Sequence, residues 1–192
     1  RVFLVSAHVH LEGDALGAEL ALARLLRRLG HKAIVVNDDA TPAEYGFLPD
    51  LETIKRPDRL PAYDVAVFVD CSDVSRAGKI AGLLKKDKPI WNIDHHASNS
   101  RFGALSWIDG KASSASEMIY RLYKALGVPI GLPEAVLLYT GISTDTGSFK
   151  YATTSAQTHA ATPDLLKHPV DVYAIYRALR ENMPLEVVRA IG

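Results

Sequence analysis

The chain has 192 residues, 48% of them hydrophobic, and its 22 basic and 22 acidic side chains leave no formal net charge. This composition provides for a sizeable core and excludes an intrinsically disordered chain. Balanced charge excludes a broad basic surface for long nucleic acids, so an anionic substrate must be held locally. The single cysteine, Cys71, excludes an intrachain disulfide and favours a cytoplasmic location. No apolar run reaches the roughly 18 residues of a membrane span.

The N-terminal region predicts one β-α-β unit. Residues 2–6 are apolar and β-branched, which indicates a buried strand. Leucines at helical spacing predict a helix over residues 14–29, and residues 32–37 predict a second strand. Two strands joined through a helix pair in parallel, with a right-handed crossover.

Strands and helices continue to alternate along the rest of the chain. Two more strands are predicted at residues 63–70 and 89–94, and the first is apolar enough to be buried on both faces. Pro163 falls inside a predicted helix and is expected to kink or split it. The further predicted helices cover residues 77–86, 115–126, 134–140, 155–167, 171–181 and 184–191. The sequence thus predicts an α/β fold with a doubly wound, mainly parallel β-sheet and helices on both faces.

Ionisable side chains cluster after the predicted strands. They follow the first, third and fourth strands and occupy a predicted loop at residues 141–147: His8, Glu12, Asp14, Asp70, Asp94, His95, His96 and Asp145. Taken alone, each is more often a capping or hydrogen-bonded group, and Asp14 would serve as a helix N-cap. Ligands of doubly wound folds lie beyond the carboxyl ends of the strands, so the joint placement favours a functional site.

This combination of carboxylates and imidazoles suits two divalent cations. Manganese fits the mixed oxygen and nitrogen ligands best, with magnesium or cobalt as alternatives. Two such ions, about 3.5 to 4 Å apart, can share a bridging carboxylate and activate a water for attack on phosphorus. Asp70 is suited to bridge them because the preceding strand fixes its position.

The clustered residues fall in four short motifs. These are His8-x-x-x-Glu12-Gly-Asp14-Ala-Leu-Gly17, Val69-Asp70-Cys-Ser-Asp73, Asp94-His-His96 and Thr140-Gly-Ile-Ser-Thr-Asp145-Thr-Gly. In order and spacing they resemble the four motifs of the DHH phosphoesterase superfamily, in the branch of the nanoRNases, or bifunctional oligoribonuclease and PAP phosphatases. The resemblance covers the chain from His8 onward.

The resemblance implies a set of metal ligands with Asp70 as the bridge. The implied ligands of the first ion are His8, Glu12 and Asp70. Those of the second ion are Asp14, Asp70, His95 and Asp145.

The resemblance also implies substrate contacts. His96 would face the phosphate as a hydrogen-bond donor or acid, so His96 and Asp70 are the implied catalytic residues. Asn99 would orient the site or touch the substrate. Arg76 would contact phosphate, a task that suits its guanidinium group.

The chain departs from the family pattern in two ways. Glu12 stands where the first motif usually has aspartate, which leaves metal preference and rate open. The family's glycine-rich, histidine-containing substrate loop is missing, and we interpret the chain as a fragment of a longer protein. Residues 1–182 would be the catalytic domain, and residues 183–192 would begin a linker helix to a C-terminal substrate-binding domain.

The leading hypothesis is a manganese-dependent hydrolase of short single-stranded RNA or of adenosine 3′,5′-bisphosphate. A cyclic-dinucleotide phosphodiesterase and a family II inorganic pyrophosphatase are enzymatic alternatives. A metal-binding module without catalysis is an alternative of another class, for which Glu12 is the one supporting feature. The resemblance implies no membrane partner and is compatible with a homodimer.

Overall fold

A computed structural model describes residues 1–181, so the predicted helix at 184–191 and the predicted linker at 183–192 lie outside the described residues. The strands are β1 (Val2–Ser6), β2 (Lys32–Val35), β3 (Val65–Val69), β4 (Ile90–Asp94) and β5 (Leu105–Ile108). They form one parallel sheet in the order β2-β1-β3-β4-β5. The predicted parallel sheet is confirmed.

The helices alternate with these strands and then follow them. They are α1 (Gly13–Arg28), α2 (Lys79–Leu83), α3 (Ala115–Ala125), α4 (Leu132–Asp145), α5 (Ala156–Leu165) and α6 (Val172–Arg180). Short 3₁₀ turns lie at Ala43–Tyr45, Leu51–Thr53 and Val74–Ala77. Within residues 1–181, none of these helices has the length and apolar character needed to span a bilayer.

Side chains alternate between the two faces of the sheet. Phe3 and Val5 of β1 pack into the larger apolar cluster, which includes the buried sides of α1, α3 and α4. Leu4 between them packs into a smaller cluster on the opposite face, with Phe68 of β3 and Ile80 of α2. The sheet is therefore covered on both faces, as the doubly wound prediction requires.

Three details of the predicted elements were wrong. β5 was not predicted, because this short strand at the sheet edge is only partly buried and lacks a strong apolar pattern. Pro163 does not split α5: it removes one hydrogen bond to the carbonyl of His159, and both residues are exposed to water that can satisfy that group. Asp145 lies at the end of α4 rather than in a loop.

A glycine allows α4 to pack closely against its neighbours in this segment. A Cβ at Gly141 would lie 1.9 Å from Oγ of Ser116 and 2.9 Å from Oδ1 of Asp14. The missing side chain lets α3 and the start of α1 approach α4 closely. What resembles a glycine-containing loop in the sequence is thus a contact between helices.

We expect Gly141→Ala to destabilise the protein by about 1–3 kcal/mol or more, because the added methyl group overlaps Ser116. The midpoint of urea-induced unfolding measures this effect. The matched control is Gly82→Ala in α2, where no atom of the described residues lies within 4 Å of an added Cβ. That control should be neutral or slightly stabilising. Equal midpoints for both variants would contradict the proposed contact.

Candidate metal centre

The predicted ligands lie at the carboxyl end of the sheet, where the strand order changes direction. Along the chain, β1 is followed by β2 on one side and then by β3 on the other. This is the switch point at which doubly wound folds leave a crevice for ligands. His8 follows β1, Asp70 follows β3 and His95 follows β4. The fold brings together side chains that are distant in sequence.

Asp70 lies at the centre of the cluster and is almost fully buried. Its Oδ2 lies 3.1 Å from Nε2 of His8, and its Oδ1 lies 3.4 Å from Nε2 of His95. Among residues 1–181 the buried Oδ1 atom has no hydrogen-bond partner, which is unusual for a carboxylate oxygen. The φ angle of Asp70 is +50°, a conformation uncommon for residues other than glycine. The end of β3 therefore presents a carboxylate with one unsatisfied oxygen in a constrained position.

The predicted ligands form two compact groups around Asp70. The first group is His8, Glu12 and Asp70, and the second is Asp14, His95 and Asp145. Within each group the potential ligand atoms all lie within 4.8 Å of one another. Asp70 also belongs to a third such group with Asp94, His95 and His96. The structure thus brings together all the residues that the resemblance implies as ligands.

Asp14 connects this cluster to a helix N-terminus. Its carboxylate is fully buried and accepts hydrogen bonds from the backbone N–H groups of Ala115 at 2.6 Å and Ser116 at 2.7 Å. These N–H groups belong to the first turn of α3, where a negative charge is favoured. Nε2 of His95 lies 3.9 Å from Oδ2 of Asp14. Asp14 therefore fixes α3 against the site.

Glu12, rather than Asp14, caps α1. Its Oε1 accepts a hydrogen bond from the backbone N–H of Ala15 at 2.8 Å. An N-cap carboxylate holds the entry to the helix in place. The same residue faces His8 and Asp70, so the turn between β1 and α1 is fixed next to the cluster.

The crowded charges shift the pKa values of the cluster. Burial, followed by the nearby Asp70 carboxylate, raises the pKa of Glu12 to about 7 and that of Asp14 well above its usual range. Burial opposes the charged form of His95, but Asp70 and Asp14 outweigh it and raise its pKa to about 10. In the same way, Asp70 raises the pKa of His8 to about 8 against the effect of burial. Protons thus compensate negative charge that a cation could compensate instead.

A second layer of polar groups surrounds His96. Its Nδ1 lies 2.7 Å from Oδ1 of the fully buried Asp94. The side-chain amide of Asn99 donates to Oδ2 of Asp94 at 2.6 Å and to Oδ1 of Asn92 at 2.9 Å. The Asn99 amide is thus occupied within the protein, an arrangement that orients the site. Of the two roles predicted for Asn99, this geometry favours orienting the site over touching the substrate.

Two further observations concern residues near the cluster. Arg76 is exposed, and its guanidinium donates to Oγ of Ser72 at 3.2 Å; it is not part of the ligand groups. Asn92 was not predicted to contribute, yet it is fully buried and links Asn99 to the backbone carbonyl of Cys71. The signal for it was an asparagine in the otherwise apolar segment before Asp94.

The fold and the cluster together define an α/β protein with a carboxylate and imidazole centre at its strand ends. A model of the DHH family, N-terminal domain, matches residues 2–142, and the chain belongs to this family.

Similar proteins come from several bacteria. The bifunctional oligoribonuclease and PAP phosphatase NrnA of Thermus thermophilus is 34% identical over 181 residues, which cover 94% of this chain and 54% of that protein. A probable manganese-dependent inorganic pyrophosphatase of Streptococcus mutans is 30% identical over 168 residues, which cover 85% of this chain and 54% of that protein. A crystal structure of an exopolyphosphatase-related protein from Bacteroides fragilis superposes with a TM-score of 0.91 at 25% identity. The match covers 99% of this chain and 59% of that chain. The chain thus spans about half the length of the curated relatives it matches.

Proposed function

We propose that this chain is the metal-binding part of a phosphoesterase that hydrolyses short oligoribonucleotides or adenosine 3′,5′-bisphosphate with two divalent cations. The observation that carries the proposal is that the buried carboxylate of Asp70 belongs to one potential ligand group and lies 3.4 Å from His95 of the other. The name of the Thermus thermophilus relative supports this class of substrate.

The residues present fit a pair of cations. The buried Oδ1 of Asp70 has no hydrogen-bond partner among the described residues, so it is available to a cation. Mixed carboxylate and imidazole donors suit manganese, with magnesium or cobalt as alternatives, and the Streptococcus mutans relative is named manganese-dependent. When bound, the ions would acidify a water and neutralise charge on the phosphoryl oxygens. The ligands of one ion would be His8, Glu12 and Asp70; those of the other would be Asp14, Asp70, His95 and Asp145.

His96 is the proposed donor to the substrate. When Nδ1–H donates to Asp94, the protonated imidazolium form of His96 has a second N–H at Nε2, which can donate to a phosphoryl or leaving-group oxygen. The ring is about one-third exposed, which leaves it accessible to a substrate. Asn99 holds Asp94 in place from the other side. The exposed Arg76 is proposed as an additional phosphate contact at the rim.

We expect Asp94→Asn to lower kcat by about 10²-fold or more, because a neutral amide would no longer stabilise the imidazolium form of His96 that donates through Nε2. Oδ1 of the new asparagine would accept the hydrogen bond from Asn99, so its NH₂ group would face Nδ1 of His96. Bound manganese and the melting temperature should stay near wild type. Steady-state kinetics with metal analysis measure both quantities.

The control for this change is Asp109→Asn, which removes a carboxylate that pairs with Arg121 rather than with the cluster. Its kcat should equal that of wild type. If Asp94→Asn turns over at the wild-type rate with a full complement of metal, the role assigned to His96 is wrong.

The proposal is tested with the full-length protein that contains this chain, manganese, an RNA dinucleotide and adenosine 3′,5′-bisphosphate. We expect turnover of at least one substrate and its loss in His95→Ala. Turnover of a cyclic dinucleotide or of pyrophosphate alone would assign one of the alternative enzymatic functions. Two bound ions per chain without turnover of any substrate would indicate a binding module. Light scattering of the same sample tests whether the protein forms a homodimer.

A further inference from the structure

The backbone directly after α4 has an unusual conformation. Three consecutive residues, Gly147, Ser148 and Phe149, have φ angles of +57°, +61° and +65°. Side-chain-bearing residues rarely adopt this region, so the surrounding contacts must enforce it. The N–H groups of Lys150 and Tyr151 both donate to the carbonyl of Thr146 at 3.0 Å. The chain therefore turns tightly just after the proposed ligand at the end of α4.

One side chain of this turn anchors it to the protein. The half-buried ring of Phe149 lies between two aromatic rings, with its centroid 5.9 Å from that of Tyr139 and 5.9 Å from that of His159. The N–H of Phe149 also donates to Oγ1 of the buried Thr146 at 3.0 Å. The turn is thus fixed from inside, and the residues after Phe149 are exposed.

Tyr151 lies across this turn with half of its surface exposed, 49%. A Cβ at Gly147 would lie 2.5 to 2.8 Å from three atoms of the Tyr151 ring, so only glycine lets the ring rest against the backbone there. Gly147 is two residues from Asp145, which places their Cα atoms at most about 7.6 Å apart. Nζ of Lys150 lies 5.3 Å from the ring centroid and is on a flexible, exposed side chain. The exposed ring therefore lies within about 12 Å of the Cα atom of Asp145, the proposed ligand at the end of α4.

We propose that Tyr151 is a stacking platform for a nucleobase of the substrate. The inference rests on the proposed function and adds a subsite to it. A phosphate bound at the cluster carries its sugar and base outward, and an aromatic side chain at the rim is the group on which a base stacks. A ring that is already held against Gly147 loses little conformational freedom when a base binds. Because every base has an aromatic face, this subsite would accept all four bases.

The test uses the full-length protein with manganese, RNA dinucleotides and matched dimers in which one base is replaced by hydrogen. Tyr151→Leu should raise KM for the dinucleotide about 5- to 150-fold, whereas Tyr151→Phe, which keeps the ring, should match wild type. On the dimer that lacks the stacked base, all three proteins should have the same KM. The position of the missing base identifies which nucleotide stacks.

An unchanged KM in Tyr151→Leu, or an equal rise on both abasic dimers, would overturn the inference while leaving the proposed function intact. A wild-type protein that turns over neither the dinucleotide nor adenosine 3′,5′-bisphosphate would instead reject the proposed function. In that case, binding of a dinucleotide with the fluorescent base 2-aminopurine decides the inference separately. Stacking on Tyr151 quenches the fluorescence of 2-aminopurine, and Tyr151→Leu should bind the dinucleotide without this quenching. Absence of quenching or of binding in wild type overturns the inference.

Discussion

Asp70→Asn should abolish binding of both cations and reduce kcat by about 10³-fold or more. Asp70 contacts both ligand groups, through His8 on one side and His95 on the other. An amide at this position carries no charge and is a weaker ligand, so neither ion would keep its full coordination. Losing the electrostatic stabilisation that two ions give to a phosphoryl transition state costs several kcal/mol. Metal content after gel filtration and steady-state hydrolysis measure the two effects.

A comparison with Glu12→Gln tests whether Asp70 is a ligand that both ions share. Glu12 belongs to the first group alone, and glutamine can still cap α1 through its amide oxygen. We therefore expect this variant to retain about one ion per chain. Asp87→Asn, a change at an exposed surface position, is the matched control and should retain two. If Asp70→Asn and Glu12→Gln lose the same number of ions, Asp70 does not bridge two sites.

The position of the site could be predicted because strand ends are visible in a sequence. Buried strands such as β3 produce continuous apolar runs, and the polar residue that ends each run marks the carboxyl edge of the sheet. The predicted positions of His8, Asp70 and His95 at the carboxyl edge of the sheet follow directly from this rule. The close approach between α1 and α4 could not be predicted in this way. The sequence predicts that Gly17 lets α1 pack closely on the sheet, whereas in the structure an added Cβ there would lie 2.5 Å from the carbonyl oxygen of Leu137 in α4.

The contacts around the site depend on helix placement, which the sequence pattern leaves open. Asp14 accepts from the N-terminus of α3, about a hundred residues later, and nothing local to Asp14 indicates that partner. Asp145 was predicted on a loop because glycine and β-branched residues surround it, although the helix extends to it. Long-range contacts of this kind arise from the packing of helices on the sheet. Sequence periodicity gives the buried face of a helix but not its neighbour.

The metal-free protein should become less stable as pH rises from 5 to 8.5. The pKa of Glu12 is raised from 4.5 to about 7, that of His8 from 6.5 to about 8, and that of His95 from 6.5 to about 10. In each case the folded protein holds a proton that the unfolded chain releases, so unfolding becomes easier as pH rises. Asp70 acts in the opposite sense, since pairing with His8 and His95 holds its pKa below 3.8 against the effect of burial. The stabilisation that Asp70 contributes is complete above pH 3.8, so it does not vary between pH 5 and 8.5.

The expected loss is several kcal/mol. A shift of the Glu12 pKa from 4.5 to about 7 corresponds to roughly 3 kcal/mol, lost between these two pH values. The shift at His8 adds about 2 kcal/mol, lost between pH 6.5 and about 8. Urea unfolding of the metal-free protein at a series of pH values measures this slope. Glu12→Gln, which cannot titrate, should have a shallower slope below pH 7.

Saturating manganese should reverse the trend, since a cation competes with these protons for the same atoms. Metal binding requires neutral imidazoles and ionised carboxylates, so the stabilisation from the ions grows with pH. The difference in melting temperature between the manganese-bound and metal-free proteins should therefore widen from pH 5 to 8.5. In His95→Ala the difference should be smaller at every pH. A metal-free protein that gains stability with rising pH, or a manganese effect that does not change with pH, would show that these side chains do not share protons and cations.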